Sequence, residues 1–388
     1  MKRSLPIILC ICLLALAALA VVMLINLPEE EVPPQTQVTT AAPTAAPTTE
    51  PTTEPATEPT TEPTTEPTTV PTTEPVVLPY RHPLTGEPLA EPMTNQPVAV
   101  IINNIRQAQP LHGISQADVL CEIVAEGGGG ITRLLAVFTD LENVEKVGSI
   151  RSARTYMVDL ARSFGKAPLV HCGYSDYARQ EISRTNYPTL NQSFHSSFFY
   201  RDQARKNAGY AQEHTLFATG AKLIEGLTEK GYDLEVEEGV DFGWKFEDHV
   251  ELGGQTANKI SFRFYSEGGK QTVLTYDEAA DAYFGTQVWK TRTEKIYDAN
   301  NKEDVPFRNV LLLYSKTTSD GYRMFARLTG EGTGYYACGG QIVPIKWTRE
   351  KENDPFTYTL EDGTPITLAV GKTYIGIVPT RYPEITIE

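Results

Sequence analysis

Proline recurs at every fourth position from Pro43 to Pro75, inside a Thr-Glu-Pro tract that occupies residues 28–79. The tract holds few apolar side chains, so folding it would bury too little surface to offset the lost conformational entropy. In polyproline II geometry, at about 3.1 Å per residue, the tract could reach on the order of 160 Å. We therefore predict a disordered stalk over residues 28–79 and a folded part that begins near residue 80.

An apolar segment precedes the stalk and runs from Leu5 to Leu27, behind Lys2 and Arg3. As a helix, with about 1.5 Å of rise per residue, it spans roughly 35 Å, which is enough to cross a bilayer core. Basic residues before such a span favour a cytoplasmic N-terminus. Residues 1–27 are therefore predicted to form an uncleaved signal anchor. This single transmembrane helix would hold the protein in the cell membrane, with the rest of the chain outside the cytoplasm.

Two other fates of this segment stay open. A signal peptidase could cleave after Ala20, although apolar residues continue to Ile25 and make the segment long for a signal peptide. Cys10 or Cys12 could carry a lipid, but only a short apolar run precedes Cys10, and Ile11 occupies the position where a small residue should precede Cys12. The helical anchor is therefore the preferred interpretation.

The net charge of −15 excludes some classes of partner. The stalk carries only acidic charges, and residues 80–388 are mildly acidic without a basic stripe, so no nucleic-acid binding is expected. The letters of Gly332-Thr333-Gly334-Tyr335-Tyr336-Ala337 fit the dinucleotide-binding pattern, but a Gly-Gly turn and a second strand follow them instead of a helix. Because no Walker motif is present either, no nucleotide is expected.

Three cysteines remain after the anchor, namely Cys121, Cys172 and Cys338. Their odd number and wide spacing argue against a disulfide framework and against a zinc site, so free, buried thiols are expected. No His-Glu-x-x-His motif or other close spacing of metal ligands occurs. Neither a metal nor a cofactor is predicted.

Residues 80–388 are long enough for two domains, and the sequence changes in character near residue 236. Between residues 80 and 235, apolar runs typical of strands alternate with helical patterns, which predicts an α/β domain. Helices are expected to begin after Ser152, continuing to about Ser163, and after Thr219, because serine and threonine are good N-cap residues. The predicted strands of this domain are 98–102, 119–124, 134–138 and 169–172.

From residue 236 to 388 the sequence predicts mainly strands, such as 259–265 and 310–314. Gly339-Gly340 and Asp362-Gly363 are predicted hairpin turns. One short helix is expected around residues 276–283, capped by Asp277. The predicted fold class is therefore an α/β domain followed by a β-rich α+β domain, behind a transmembrane helix and a disordered stalk.

Residues 147–154 are the strongest candidate for a binding site, because a strand ends, two arginines follow and a helix begins there. Arg151, Ser152 and Arg154 would lie at a helix N-terminus, where backbone amides and guanidinium groups both favour carboxylate or phosphate. Alternatively, Arg151 and Arg154 only balance structural carboxylates such as Glu122 or Asp159.

Glu122 and Glu126 precede four glycines, 127–130, and Arg133 follows them, in a pattern typical of a β-hairpin. Because side chains alternate along a strand, the two glutamates are expected to share one face. They could act as general acid and base, or balance the charge of the arginines, which is the preferred interpretation. The glycines of the loop could let the backbone approach a ligand closely, but the preferred interpretation is a flexible connection.

Two of the six histidines are candidates for a site. His171 ends a predicted apolar strand, a position where α/β sheets bind ligands, and His214 follows Glu213. Either ring could instead be a satisfied structural group. A hydrolase triad of Ser152 with His171 is rejected, because no Gly-x-Ser-x-Gly elbow is present.

Several short motifs between residues 80 and 385 occur in a recognisable order. They are Pro97-Val98-Ala99-Val100-Ile101-Ile102-Asn103-Asn104, Gly113-Ile114-Ser115-Gln116-Ala117-Asp118-Val119, Ile131-Thr132-Arg133, Gly148-Ser149-Ile150-Arg151-Ser152-Ala153-Arg154, Val170-His171-Cys172-Gly173, Gly332-Thr333-Gly334, Lys346-Trp347 and Gly371-Lys372-Thr373-Tyr374-Ile375-Gly376-Ile377-Val378-Pro379. Together they resemble the YerB-like family, bacterial cell-envelope proteins that are often lipoproteins and carry two adjoining domains of unknown function. The resemblance implies this architecture and location but no mechanism. Asn104, at the end of the first motif, joins the candidate binding residues.

The chain departs from the family pattern in three places. The family's Glu-Gly-Gly-Ile-Thr-Arg contains two extra glycines here. Its Pro-His-Asn-Leu-Tyr-Thr is replaced by Glu213-His214-Thr215-Leu216-Phe217-Ala218, which keeps the histidine and strengthens the case for His214. No lipobox is present, so the resemblance implies the same location with a helix in place of a lipid.

The preferred hypothesis is a non-catalytic protein that binds an anionic envelope ligand, such as a cell-wall polymer, or an acidic segment of a partner protein. Its binding residues would be the basic ones of the motifs, namely Arg133, Arg151, Arg154, His171 and His214. The alternative is a hydrolase of cell-wall polymers, in which one of the two histidines and one of the two glutamates act as acid and base. A third hypothesis is a structural assembly factor with an exposed apolar patch. The sequence leaves open whether the protein is an enzyme.

Overall fold

The computed structural model of the protein describes residues 78–126, 131–236, 240–266 and 269–388. The predicted anchor, nearly all of the predicted stalk and the glycine loop 127–130 lie outside the described residues. None of the helices in the described ranges combines the length and the apolar character that a bilayer span requires.

Strands dominate the described chain, and its four α-helices all lie before residue 230. The helices are α1 (Thr155–Arg162), α2 (Asp176–Thr185), α3 (Gln203–Asn207) and α4 (Gly220–Glu229), and short 3₁₀ turns occur at Arg106–Ala108, Ile114–Gln116, Ser196–Phe198 and Gln212–His214. The strands before residue 236 are β1 (Tyr80–Arg81), β2 (Pro88–Leu89), β3 (Val98–Asn103), β4 (Val119–Glu126), β5 (Ile131–Phe138), β6 (Val147–Gly148), β7 (Leu169–His171), β8 (Thr189–Asn191), β9 (Tyr200–Arg201) and β10 (Leu216–Ala218). The later strands are β11 (Phe246–Glu247), β12 (Gln255–Thr256), β13 (Lys259–Arg263), β14 (Gln271–Asp277), β15 (Ala282–Trp289), β16 (Arg292–Lys295), β17 (Tyr297–Asp298), β18 (Glu303–Asp304), β19 (Pro306–Phe307), β20 (Asn309–Ser315), β21 (Thr317–Ser319), β22 (Met324–Ala326), β23 (Gly330–Cys338), β24 (Gln341–Arg349), β25 (Thr357–Thr359), β26 (Leu368–Ala369), β27 (Thr373–Pro379) and β28 (Ile385–Ile387).

Eleven strands form the largest sheet, in the order β12-β24-β23-β20-β27-β4-β5-β3-β7-β8, with β25 beside β24. The pairs β20–β27, β27–β4, β3–β7 and β7–β8 are parallel. Because β27 lies beside β4, this sheet contains strands from both halves of the chain. The division between residues 235 and 236 stays a prediction.

Apolar side chains of the large sheet alternate between two cores, as the geometry of a strand requires. In β3, Val100 and Ile102 belong to the first core, whereas Ala99 and Ile101 belong to the second. The first core also contains residues of α4 and of a six-stranded sheet, which has the order β16-β15-β14-β13-β28 with β19 beside β15. The second core contains the apolar face of α1.

Most predicted strands are confirmed. Successive side chains along these strands belong alternately to the two cores, so both faces of each strand are apolar. Residues 98–102, 119–124, 134–138 and 310–314 lie within β3, β4, β5 and β20, and Gly339-Gly340 forms the turn between β23 and β24. Residues 332–337, which match the dinucleotide-binding pattern, lie inside β23. They therefore do not form a phosphate-binding turn before a helix.

The prediction that a helix begins after Ser152 is wrong by two residues, since α1 begins at Thr155 instead of Ala153. Residues 149–153 stay extended because they bond to the sheet: the amide of Arg151 donates to the carbonyl of Ile101 at 2.9 Å. This tertiary hydrogen bond overrides the local capping signal.

The short helix predicted at residues 276–283 is also wrong, because this segment is a hairpin. β14 pairs with β15 along its whole length, and the carboxylate of Asp277 accepts a hydrogen bond from the amide of Ala280 within the turn. The prediction at Thr219 is confirmed, since its side chain accepts from the amide of Lys222 at the start of α4.

Glu122 links the two larger sheets. Its side chain extends from β4 into the first core, is fully buried, and forms an ion pair with the equally buried Lys270, which precedes β14. Burial lowers the pKa of Lys270, and the carboxylate opposes this shift. The further donors to the Glu122 carboxylate, at 2.6–3.1 Å, are Asn104, Thr132, Thr272 and Tyr374.

Replacing Glu122 by glutamine is expected to destabilise the protein by about 3–5 kcal/mol, because the charge of Lys270 would stay buried without a counter-ion. The control is Lys259→Ala, which removes an ion pair with Glu388 between partly exposed side chains and should change the unfolding free energy by less than about 1 kcal/mol. Urea unfolding measures both values. Equal effects of the two substitutions would contradict the structural role of Glu122.

Candidate functional site

The candidate site lies where the parallel strands β3 and β7 end. Residues 149–153 cross these ends: Arg151 donates its amide to Ile101, and its carbonyl accepts from the amide of Cys172 at 3.0 Å. α1 begins directly afterwards, and no side chain caps its N-terminus. The carboxyl ends of parallel strands are the usual ligand-binding edge of such sheets.

Arg133 and Arg154 meet at one carboxylate. Oε1 of Glu126 accepts from Nη2 of Arg133 at 2.8 Å and from Nη2 of Arg154. Their Nη1 atoms donate to backbone carbonyls, of Ser152 at 2.6 Å and of Ala153 at 3.0 Å. Burial, and then the charge of Arg154, lower the pKa of Arg133 to about 10, so it stays charged at neutral pH. These contacts hold the segment against the sheet.

The prediction that Glu122 and Glu126 share a face is wrong. The ladder between β4 and β5 is regular as far as Val124 and resumes with Glu126 opposite Ile131. Ala125 is therefore the extra residue of a β-bulge, which shifts the alternation of side chains by one position. As a result, Glu122 enters the first core, whereas Glu126 lies with the arginines on the opposite face.

Arg151 and His214 approach a common carboxylate. Nη2 of Arg151 and Nε2 of His214 lie 3.7 Å and 3.6 Å from Oε1 of Glu213, which is too long for a hydrogen bond. Nδ2 of Asn103 donates to Nδ1 of His214 at 3.0 Å, which leaves the ring proton on Nε2, beside Glu213. Burial lowers the pKa of His214. The carboxylate thus lies near two donors and is held by neither. Arg133, Arg151 and Arg154 are called the arginine cluster below.

His171 is fully buried at the end of β7. Its Nδ1 donates to the carbonyl of Gly173 at 2.7 Å, and its Nε2 has no partner among the described residues. Burial lowers the pKa of His171 to about 4 despite that hydrogen bond. At neutral pH the ring therefore offers an acceptor and no positive charge.

Buried polar atoms that have no hydrogen-bond partner in the described part of the chain gather around residues 149–155. Buried polar groups are normally paired, so such a group of atoms indicates a position that water or a ligand completes. The atoms are Oγ of Ser149, Nε of Arg151, Nε of Arg154, Oγ1 of Thr155, Oε2 of Glu126, Nε2 of His171 and Nδ2 of Asn191.

The structure brings some of the candidate residues together and separates others. The arginine cluster, Ser152, Glu126 and His214 lie on one face, whereas Glu122 and Asn104 belong to the buried network on the other. In the described ranges neither glutamate contacts a histidine, so the acid–base pair of the hydrolase hypothesis is not formed there, and no group of three or more metal-ligating side chains occurs.

Two residues of the site, Asn103 and Glu213, were not predicted from the sequence. Asn103 orients the ring of His214, and Glu213 faces both donors. The available signal was their position next to the selected residues Asn104 and His214. Nothing in the sequence separated their roles from those of their neighbours.

Two domain profiles of one family match this chain. Its sequence matches the profile "Protein of unknown function (DUF3048) N-terminal domain" over residues 84–233 and the profile "Protein of unknown function (DUF3048) C-terminal domain" over residues 260–375. The chain belongs to the DUF3048 family. The predicted resemblance to YerB-like proteins with two adjoining domains is therefore confirmed.

Relatives of this DUF3048 protein extend the match over most of its length. It is 28% identical over 289 residues to a protein of Bacillus subtilis (strain 168) described as "Putative lipoprotein YerB", a match that covers 72% of this chain and 80% of the relative. The crystal structure of the YerB protein from Bacillus subtilis superposes with a TM-score of 0.65 and 25% sequence identity, over 80% of this chain and 99% of that one. The fold is therefore that of YerB.

The stability of this DUF3048 protein is expected to fall between pH 6.5 and 4, partly through His171. The unfolded ring takes up a proton near its ordinary pKa of 6.5, whereas the folded ring stays neutral until about pH 4, so acid favours the unfolded state in this window. Asparagine does not titrate in this range. His171→Asn should therefore reduce the slope of the unfolding free energy against pH by at most about 1.4 kcal/mol per pH unit. His112, whose pKa burial also lowers to about 4, accounts for part of the remaining slope.

Urea unfolding between pH 7 and pH 4.5 measures this slope for both proteins. An unchanged slope in His171→Asn would contradict the neutral state of the buried ring.

Proposed function

We propose that this protein is a non-catalytic module that binds an anionic group at Arg151. The observation that carries the proposal is the position of Glu213, whose Oε1 lies 3.7 Å from Arg151 and 3.6 Å from His214. The side chain of Glu213 is 52% exposed, so it can turn away. An oxygen of a carboxylate or phosphate would then replace it and form shorter, charge-assisted hydrogen bonds with both donors.

Three further features support an anion at this position. Nε of Arg151 and Nε of Arg154 have no partner within the described ranges. The uncapped N-terminus of α1 adds the positive end of a helix dipole. Arg133 and Arg154 bring two positive charges against the single carboxylate of Glu126, so the surroundings of Arg151 stay positive.

The proposed place of action is the outer side of the cell membrane. The relative in Bacillus subtilis is described as a "Putative lipoprotein", and a lipoprotein is held at a membrane by its lipid. For this chain we propose that residues 1–27 provide the anchor and that residues 28–79 extend the binding module away from the bilayer. The ligand would then be a cell-wall polymer or an acidic segment of an envelope protein.

Arg151→Ala is expected to weaken binding to purified cell walls about tenfold or more, since a hydrogen bond to a charged group contributes roughly 1.5–3 kcal/mol. Glu213→Gln should strengthen binding, because it removes the competing carboxylate. Partial unfolding would weaken binding in both variants. Opposite effects of Arg151→Ala and Glu213→Gln on the affinity therefore cannot arise from it. Sedimentation with walls, at increasing protein concentration and at two salt concentrations, gives the affinities, and high salt should weaken them.

The matched control is Arg184→Ala, because Arg184 is exposed and pairs with Glu181 on α2, away from the site. This variant should sediment like the unmodified protein. Undiminished binding by Arg151→Ala would refute the proposal. Soluble wall fragments that are released by the unmodified protein and not by His214→Ala, detected by mass spectrometry, would replace it with the hydrolase hypothesis.

A further inference from the structure

Several aromatic side chains of the described residues are exposed to solvent. In the described part of the chain, the large apolar side chains with more than about a third of their surface exposed are Leu78, Tyr80, Tyr177, Phe194, Tyr200 and Tyr322. Two of them, Tyr177 at the start of α2 and Tyr322 in the β21–β22 hairpin, lie on elements that meet. Aromatic groups exposed side by side are typical of binding surfaces.

Tyr177, Tyr322 and Phe325 are called the tyrosine patch below. The rings of Tyr177 and Phe325 meet edge to face, with 5.2 Å between their centroids. The guanidinium carbon of Arg323 lies 5.7 Å from the centre of the Tyr177 ring. Tyr322, in the turn of the same hairpin, is 67% exposed. The patch therefore presents aromatic surface to solvent from two elements that contact each other.

The tyrosine patch adjoins the arginine cluster. Arg323 forms an antiparallel bridge with Glu126, the residue whose carboxylate holds Arg133 and Arg154. Bridged strands lie about 5 Å apart, so the turn of the hairpin that carries the patch lies beside the backbone of Glu126. A ligand longer than one charged group could therefore contact both surfaces.

We infer that the anionic ligand is an acidic polysaccharide, one of whose charged groups binds at Arg151 while a neighbouring sugar ring stacks on the tyrosine patch. This inference rests on the proposed function. A tyrosine combines a flat apolar face with a polar hydroxyl group, and a sugar ring likewise combines apolar C–H faces with hydroxyl edges. A small anion needs only the arginines, and an acidic peptide brings charge without rings.

The test compares two soluble polyanions by titration calorimetry with the full chain in detergent. Polygalacturonate carries its carboxylates on sugar rings, whereas poly-L-glutamate carries them on a peptide. The unmodified protein is expected to bind polygalacturonate more tightly. Tyr177→Ala/Tyr322→Ala should weaken polygalacturonate binding about fivefold or more and leave poly-L-glutamate binding unchanged, whereas Arg151→Ala should weaken both.

Two variants serve as controls. Tyr177→Phe/Tyr322→Phe keeps both rings and should bind polygalacturonate within about twofold of the unmodified protein, because stacking needs the ring face. Tyr80→Ala removes an exposed tyrosine of β1 and should have no effect. Equal affinity for the two polymers, or full polygalacturonate binding by the double alanine variant, would overturn the inference while the proposed function stands. If neither polymer bound to the unmodified protein, the proposed function itself would be wrong.

Discussion

One extra residue in β4 determines what each face of the large sheet can do. Because Ala125 bulges out of the ladder, Glu122 and Glu126 extend to opposite faces although they are four residues apart. In a regular strand both carboxylates would enter the first core, and Arg133 and Arg154 would be buried on the other face without the Glu126 carboxylate. The bulge therefore separates a structural charge from the charges of the candidate site.

Glu122 and Glu126 differ in whether their carboxylates keep hydrogen-bonding capacity for a ligand. Each oxygen of the Glu122 carboxylate accepts hydrogen bonds inside the core, so this group serves stability and has no capacity left for a ligand. One oxygen of the Glu126 carboxylate accepts hydrogen bonds from Arg133 and Arg154 and so positions both side chains. Arg151 is the exception in the cluster, since it is only loosely paired with Glu213. A firmly held scaffold thus presents one guanidinium group that can exchange its partner.

Local patterns were sufficient to predict β3, β4 and β5 and the start of α4, because strand alternation and a threonine cap are properties of neighbouring residues. They were insufficient for the bulge, since Ala125 fits a strand in either register. They also failed at residues 149–153, which are held extended by backbone bonds to Ile101 of β3 and to Gly173, which follows β7. In the site, charge and motif indicated Arg151 and His214, but their convergence on Glu213 depends on tertiary packing.

The most direct test of the central claim is to locate a bound anion. Crystals of the protein grown with selenate would show the selenium atom in an anomalous difference map. The proposed site predicts a peak for a selenate ion whose oxygen atoms lie within hydrogen-bonding distance of Nη2 of Arg151 and Nε2 of His214, with the side chain of Glu213 turned away. A peak only at other positions, with Glu213 still beside both donors, would contradict it.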